Sequence, residues 1–220
     1  MFEPTVFENR PLIADTVQPV NRAGGYIMAA LKAGSVLCST VKNAAAKAKK
    51  SITFTGTPIS GKTVSILLNG AEIAYTTGST TLATEITGIA NAINAAAGDE
   101  VTASAAAGKL SVEAKENGLN GNTISIVAGV EGSGLTAGAV AIDVVGCDVG
   151  DEVFEIVDSA SETNNIPCAV LLEDAEAGEI KSVAFTGCFV SSALKFKAGQ
   201  SLASFKKTLR TIGIFTKGSI

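Results

Sequence analysis

Residues 63–98, which read TVSILLNGAEIAYTTGSTTLATEITGIANAINAAAG, carry the strongest local signals of secondary structure in the chain. Polar and apolar residues alternate over residues 63–68, as they do in a strand with one buried face. Asn69-Gly70 is a favoured pair for two-residue hairpin turns, and it predicts a second strand at residues 71–76. Apolar residues then recur at helical spacing over residues 82–97. The stretch therefore predicts a β-hairpin followed by an amphipathic helix.

The same kind of alternation extends on both sides of this stretch. It predicts further strands at residues 51–55, 101–105, 109–114, 123–127 and 139–145. Residues 49–146 are therefore predicted to form an inserted domain of the β-β-α-β-β type. The Ala- and Lys-rich residues 42–50 are the predicted junction.

Strand patterns of a different style flank the inserted domain. They lie at residues 35–38, 152–157, 166–172, 180–190 and 214–220. A short helix with Leu202, Phe205, Leu209 and Ile212 on one face is predicted to begin after Ser201. Residues 13–48 and 147–220 are thus predicted to form one discontinuous core. The predicted fold class is mainly β with small α content (α+β), a small β-rich fold interrupted by the inserted domain.

Composition and charge exclude several classes of function. The 220 residues include 46% hydrophobic and 17% charged residues with a net charge of -4, so a nucleic acid is not the expected partner. No apolar run approaches the roughly 18–20 residues that span a membrane, so no membrane partner is expected. The first residues lack the basic and apolar regions of a signal peptide, and we expect a soluble protein not exported by that route.

Catalytic and metal sites are also poorly supported. The chain has no histidine, which excludes nucleophilic catalysis by a Ser-His or Cys-His pair. Zinc would require clustered His and Cys ligands, but the four cysteines lie far apart. The acidic residues 173–179 do not match the spacing of a calcium loop and are predicted to form a solvated turn. We therefore expect no enzyme activity, no metal and no cofactor.

One motif points the other way. Residues 56–63, GTPISGKT, match the P-loop pattern G-x-x-x-x-G-K-[ST]. In a P-loop the Lys-Thr pair begins a helix, whereas here it begins the predicted strand at residues 63–68. A β-turn is the preferred interpretation, and nucleotide binding is a third hypothesis that a helix directly after Lys62 would revive.

The four cysteines are expected to be free and mostly buried thiols, because no export signal is present. Cys38 and Cys147 flank the inserted domain and could lie close together. The sequence leaves open whether these two residues form a disulfide.

Residues 1–12, MFEPTVFENRPL, show no periodicity and contain Pro4 and Pro11, which disfavour a helix. They are predicted to be an extended N-terminal arm that a partner can order. The apolar side chains available for such a contact are those of Phe2, Val6 and Phe7.

The segments outside the inserted domain resemble the lambda-type phage head decoration (capsid cement) protein family. The matching blocks are IPCAVLLEDA (166–175), VAFTGCF (183–189), ALKF (193–196), LRTIGIF (209–215), PLIAD (11–15) and LKAGSVL (31–37). Their order and spacing match the family when the inserted residues are removed. The resemblance covers about half of the chain.

This resemblance implies a homotrimer on the outer surface of the expanded capsid, at three-fold positions of the virion. It also implies that the arm binds the major capsid protein by adding main-chain pairing to one of its strands. Phe2, Pro4, Val6, Phe7 and Pro11 are the candidate capsid-binding residues.

The inserted domain is similar to accessory modules of phage tail sheath and other virion surface proteins. It is expected to project outward, and its role is left open between contact with a host surface, contact with neighbouring capsid proteins, and no role beyond added bulk. Taken alone, it favours a tail sheath or tube component, which would assemble helically, as the alternative function.

Overall fold

The computed structural model describes residues 13–15 and 20–218, which divide into two compact units. Unit 1 is Met1–Lys42 together with Gly150–Ile220, and unit 2 is Asn43–Val149. The structure is 46% strand and 17% helical, which confirms the predicted fold class of mainly β with small α content.

Strands account for most of the regular secondary structure in both units. In chain order, the strands are β1 (Ile13–Asp15), β2 (Arg22–Ile27), β3 (Val36–Val41), β4 (Lys47–Gly56), β5 (Thr63–Leu68), β6 (Ala71–Thr76), β7 (Val101–Ala106), β8 (Lys109–Asn117), β9 (Ile126–Gly129), β10 (Leu135–Val144), β11 (Glu152–Ile156), β12 (Ala169–Leu171), β13 (Glu179–Ala184), β14 (Gly187–Val190) and β15 (Ile214–Lys217). The α-helices are α1 (Leu82–Ala97) and α2 (Leu202–Thr211), and short 3-10 helices lie at Leu119–Thr123 and Ser191–Ala193.

Unit 1 is built on a closed five-stranded barrel with the strand order β11-β2-β13-β12-β3. Neighbouring strands are antiparallel except β11 and β2, which run parallel where Phe154 lies opposite Ile27. The strands β3 and β11 lie on either side of unit 2 in the sequence. They pair directly, from Glu152 opposite Val41 to Ile156 opposite Leu37. Unit 2 therefore occupies the position of a hairpin loop in the chain.

The barrel strands alternate between two separate apolar clusters, because successive side chains of a strand point to opposite faces. One cluster fills the barrel interior with one or two side chains from each strand: Ile27, Leu37, Phe154, Ala169, Leu171 and Val183. Phe154 also packs edge-on against Phe185, with ring centroids 6.1 Å apart. The interior is so tightly filled that a Cβ added at Gly25 would clash with the Phe154 ring.

The second cluster lies between the barrel wall and the elements that cover it. The wall contributes Val36, Cys38, Val170 and Ala184, and the cover contributes Phe189, Phe205, Leu209 and Ile214. The cover consists of α2 and the three-stranded sheet β1-β14-β15. Ser201 is the N-cap of α2 as predicted, and Leu202 and Ile212 complete its apolar face.

Two predicted strands of unit 1 differ from the structure. The strand predicted at residues 166–172 is reduced to β12, since Pro167 cannot donate to a ladder. The strand predicted at residues 180–190 is interrupted at Phe185, whose N–H donates to the Asn21 carbonyl, and continues as β14.

Unit 2 consists of a four-stranded sheet, β10-β4-β8-β7, a three-stranded sheet, β6-β5-β9, and α1. The hairpin at Asn69 and Gly70 and the helix over Leu82–Ala97 form as predicted. The buried side chains of α1 (Ile86, Ile89, Ala90, Ile93) share one core with both sheets.

The ends of unit 2 lie side by side. Ala46 and Cys147 exchange two backbone hydrogen bonds of 2.8 and 3.0 Å. The predicted junction at residues 42–50 is in part strand, because β4 begins at Lys47.

Candidate functional site

The predicted capsid-binding residues Phe2, Pro4, Val6, Phe7 and Pro11 lie outside the described residues, so the structure places none of them. The structure does describe the backbone that follows residue 12. Ile13–Asp15 forms β1, which pairs antiparallel with β14. The candidate site therefore consists of β1 and the elements on which it lies.

The strand β14, with which β1 pairs, is buried along its whole length. All four of its residues are buried, and Phe189 has no exposed surface at all. Ile13 lies opposite Phe189, and Asp15 lies opposite Cys188. Because β14 is also the central strand of its sheet, the backbone that leads out of residues 1–12 is fixed to the core of unit 1.

Both edges of this sheet are open among the residues that the structure describes. β1 pairs only with β14 on one side, and β15 pairs in parallel with β14 on the other. Phe215 of β15 is 39% exposed while its neighbour Ile214 is fully buried. A sheet with open edges can accept an added strand through its free backbone groups.

The charges of unit 1 are segregated along the chain. Residues 151–179 contain nine acidic and no basic residues, and residues 180–220 contain seven basic and no acidic residues. Part of this charge is neutralised within unit 1, because Lys181 pairs with Glu179 and Lys197 pairs with Asp158, so the two segments do not form fully separate negative and positive surfaces.

The basic part includes the exposed face of α2. Lys206, Lys207 and Arg210 have no ion-pair partner among the residues that the structure describes. A shallow depression of about 520 Å³ is lined by Ala203, Lys206, Lys207, Arg210 and Thr211. This face concentrates positive charge, which attracts negatively charged groups. The sequence reasoning missed it, although a charge count by segment would have found it.

The acidic turn at residues 173–179 is solvent-exposed at Glu173, Asp174 and Glu176, and two of its carboxylates also bind backbone amides of other segments. Glu173 accepts a hydrogen bond from the Ser182 N–H, and Asp174 accepts one from the Ala33 N–H. Those backbone bonds hold the pKa of each carboxyl below its usual range, and Lys32 adds to the effect at Asp174. Within residues 13–15 and 20–218, no cluster of His, Cys, Asp and Glu is arranged to hold a metal ion.

The P-loop motif does not adopt P-loop geometry. The strand β5 begins at Thr63, so no helix follows Lys62. The amides that would hold phosphate are already used, since Gly61 N–H donates to the Thr77 carbonyl and Lys62 N–H donates to Thr77 Oγ1. Residues 56–63 therefore form a closed turn, as the sequence interpretation preferred.

All four cysteines are free thiols, so Cys38 and Cys147 do not form a disulfide in this structure. Cys38, Cys147 and Cys188 are buried, and Cys168 is partly exposed. Burial raises the pKa of the Cys38 thiol and raises that of Cys168 to about 12. These groups are therefore poor nucleophiles.

Comparisons with known proteins do not assign the chain to a family. The sequence matches no protein-family model, and no curated protein is significantly similar to it. Among the described residues, neither α1 nor α2 is long and apolar enough to cross a membrane.

Proposed function

We propose that this chain is a non-enzymatic structural protein of a phage virion, a capsid decoration protein. It binds the outside of the expanded head as a homotrimer and stabilises the shell through its contacts with the major capsid protein. The alternative, a tail sheath or tube component, rests on the inserted residues alone.

The observation that carries this proposal is the direct pairing of β3 with β11, two strands that the residues of unit 2 separate in the sequence. Most residues of the blocks that resemble decoration proteins are described, and all of the blocks fall in unit 1. Residues 31–37 lead into β3, residues 166–175 contain β12, and residues 209–215 join α2 to β15. The resembling segments therefore form one packed domain once the chain between Lys42 and Gly150 is set aside.

The arrangement of β1 supports a role for residues 1–12. An arm that binds by strand addition needs a fixed point from which to extend, and β1 provides one on the buried strand β14. Main-chain hydrogen bonds to a capsid strand would supply affinity, and the apolar anchors Phe2, Val6 and Phe7 would supply specificity.

The stabilisation of the capsid follows from the thermodynamic linkage between binding and capsid expansion. A protein that binds the expanded lattice better than the immature lattice shifts the equilibrium towards the expanded state by its difference in affinity. Three arms per trimer also act together, because binding of the first arm raises the effective concentration of the other two.

The test is the binding of purified full-length protein to expanded, undecorated heads of its cognate capsid protein, followed by cryo-electron microscopy. We expect density confined to three-fold positions. A variant without residues 1–12 should lose this density, and Phe2→Ser/Val6→Ser/Phe7→Ser should weaken binding more than 10-fold. A matched control is Val127→Ser, which changes an exposed apolar residue of unit 2.

Two results would contradict the proposal. One is a protein that stays monomeric and does not bind expanded heads at any concentration. The other is self-assembly into helical tubes without capsid binding, which would favour the tail alternative.

A further inference from the structure

The strand β10 of unit 2 is an unusually exposed sheet edge. It pairs with β4 on one side, and among the described residues it has no strand on the other side. Every residue from 138 to 144 is exposed, although five of these seven residues (Ala139, Val140, Ala141, Ile142 and Val144) are apolar. Long, exposed, apolar edge strands recruit further strands, and most monomeric proteins avoid them.

Two of the exposed side chains extend the core face of the sheet. Val140 lies opposite Ile52, which is fully buried, yet Val140 is 42% exposed. Ile142 is the next residue on the same face and is 36% exposed. The apolar face that begins in the core of unit 2 therefore continues onto β10 without cover.

The one charge on β10 is compensated within unit 2. Asp143 accepts a hydrogen bond from Lys109, and the two groups are 2.9 Å apart in an ion pair. Charged side chains and β-bulges are the common protections of a sheet edge, and on β10 they are Asp143 and the two ladder irregularities, which flank Val140–Ile142 without interrupting it.

We propose that β10 pairs antiparallel with β10 of a second copy of this chain, about a two-fold axis at Ala141. The proposal does not depend on the capsid assignment, because it uses only residues of unit 2. If the chain does coat a capsid, the contact would link neighbouring trimers.

The register is set by irregularities in the ladder between β10 and β4. They occur between Ala137 and Val140 and between Ile142 and Val144, which leaves Val140–Ile142 as the regular run within the exposed residues 138–144. Ala141 is the centre of that run. An axis there places Val140 opposite Ile142 of the partner copy, so apolar side chains meet on the core face.

The same register keeps like charges apart. Asp143 falls opposite Ala139 of the partner copy, and the two Asp143 carboxylates are separated by about 13 Å along the strands, at roughly 3.3 Å per residue. Repulsion between the two Asp143 carboxylates therefore does not oppose the pairing of the two strands.

The contact is expected to be weak in solution. A single short strand pair buries far less than the roughly 1,200 Å² of a stable interface. Pairing would become strong when several copies are held close together, since the effective concentration then replaces the bulk concentration.

The test is analytical ultracentrifugation of the full chain from micromolar to millimolar concentration. We expect reversible association: a monomer would form a species of twice its mass, and a trimer, which carries three copies of β10, would form multiples of its mass. Val140→Lys/Ile142→Lys places four cations across the axis and should raise the dissociation constant at least 10-fold. Val127→Lys is the matched control, because Val127 is an exposed apolar residue of the other sheet of unit 2.

A cross-linking measurement checks the axis itself. Opposed Cβ atoms of an antiparallel pair lie about 4.5–5.5 Å apart, close enough for small movements to form a disulfide. Ala141→Cys should therefore form a covalent dimer under mild oxidation. Ala106→Cys, on the opposite edge strand β7, should not.

The outcomes separate the two proposals. Association above the basal mass that Val140→Lys/Ile142→Lys abolishes supports the contact, whether the basal species is a trimer or a monomer. Association that this variant leaves unchanged overturns the contact. The absence of both association and Ala141→Cys dimers also overturns it, even if capsid binding is observed.

Discussion

Two adjacent glycines of β2, Gly24 and Gly25, face opposite sides of the barrel wall and allow a matched test of its packing. A Cβ added at Gly25 would lie 2.7 and 2.8 Å from two ring carbons of Phe154 and 3.3 Å from Val183. A Cβ added at Gly24 would meet only the Ile180 side chain, at 3.0 Å, and Ile180 is 58% exposed. The clash at Gly25 is therefore internal, whereas the contact at Gly24 can relax into solvent.

The expected magnitudes follow from this geometry. Gly25→Ala overpacks a closed core at a cost of about 1–3 kcal/mol, and the lower entropy of the unfolded alanine chain returns about 0.5–1 kcal/mol. We expect a net loss of about 1–2 kcal/mol in the free energy of unfolding of unit 1. Gly24→Ala should change this free energy by less than about 0.5 kcal/mol, because the strand gains propensity and Ile180 can move.

The assay is urea denaturation read by amide hydrogen exchange and mass spectrometry, which follows peptides of unit 1 and unit 2 separately. A slope of about 1–3 kcal/mol/M converts the loss at Gly25 into a shift of roughly 1 M in the midpoint of unit 1. Phe154→Leu should be less costly in the Gly25→Ala background than alone. Equal effects of Gly24→Ala and Gly25→Ala would refute the assignment of Phe154 to a filled barrel interior.

Three further predictions concern single side chains. Glu85 is 1% exposed and accepts hydrogen bonds from the Gly78 and Ser79 amides, so Glu85→Ala should destabilise unit 2 by about 1–3 kcal/mol in the same assay; the exposed Glu116→Ala should have little effect. The folded-state pKa of Asp174 lies below its unfolded value of about 4, so its contribution to stability is present at neutral pH and is lost as the pH falls through that range. Urea midpoints between pH 6 and pH 3 should therefore fall less steeply for Asp174→Asn than for the wild type, and parallel curves would contradict this account. With a pKa of about 12, only about one Cys168 thiol in ten thousand is ionised at pH 8, so iodoacetamide should modify it only after unfolding.

Local signals in the sequence were sufficient for much of the fold. The hairpin at residues 69 and 70, the helix α1 and the apolar face of α2 depend on turn chemistry and periodicity, which a sequence displays directly. Boundaries were less certain where a tertiary contact decides them. The strand predicted at residues 139–145 begins at Leu135, because pairing with β4 extends it beyond its own alternating pattern.

Barrel closure and the candidate surfaces could not be predicted in this way. The parallel contact of Phe154 with Ile27 joins positions far apart in the chain, and nothing in either segment identifies its partner. The exposure of β10 also depends on how far the sheet β6-β5-β9 and the helix α1 cover the sheet that contains β10. The segregation of charge between residues 151–179 and 180–220 was visible in the sequence, but its meaning required the place of α2 on the outside of the barrel wall.

The side-by-side ends of unit 2 have a consequence for the order of folding. The paired residues of β3 and β11 that lie nearest in sequence are Val41 and Glu152, 111 positions apart, so in an unfolded chain their pairing closes a loop of about a hundred residues. That closure costs about 4 kcal/mol of chain entropy, and about half of it, roughly 2 kcal/mol, disappears once Ala46 and Cys147 are already bonded. We therefore expect unit 2, which is continuous in sequence, to become protected first in pulse-labelling experiments during refolding, with the barrel closing afterwards. Protection of β3 and β11 before α1 would show the reverse order.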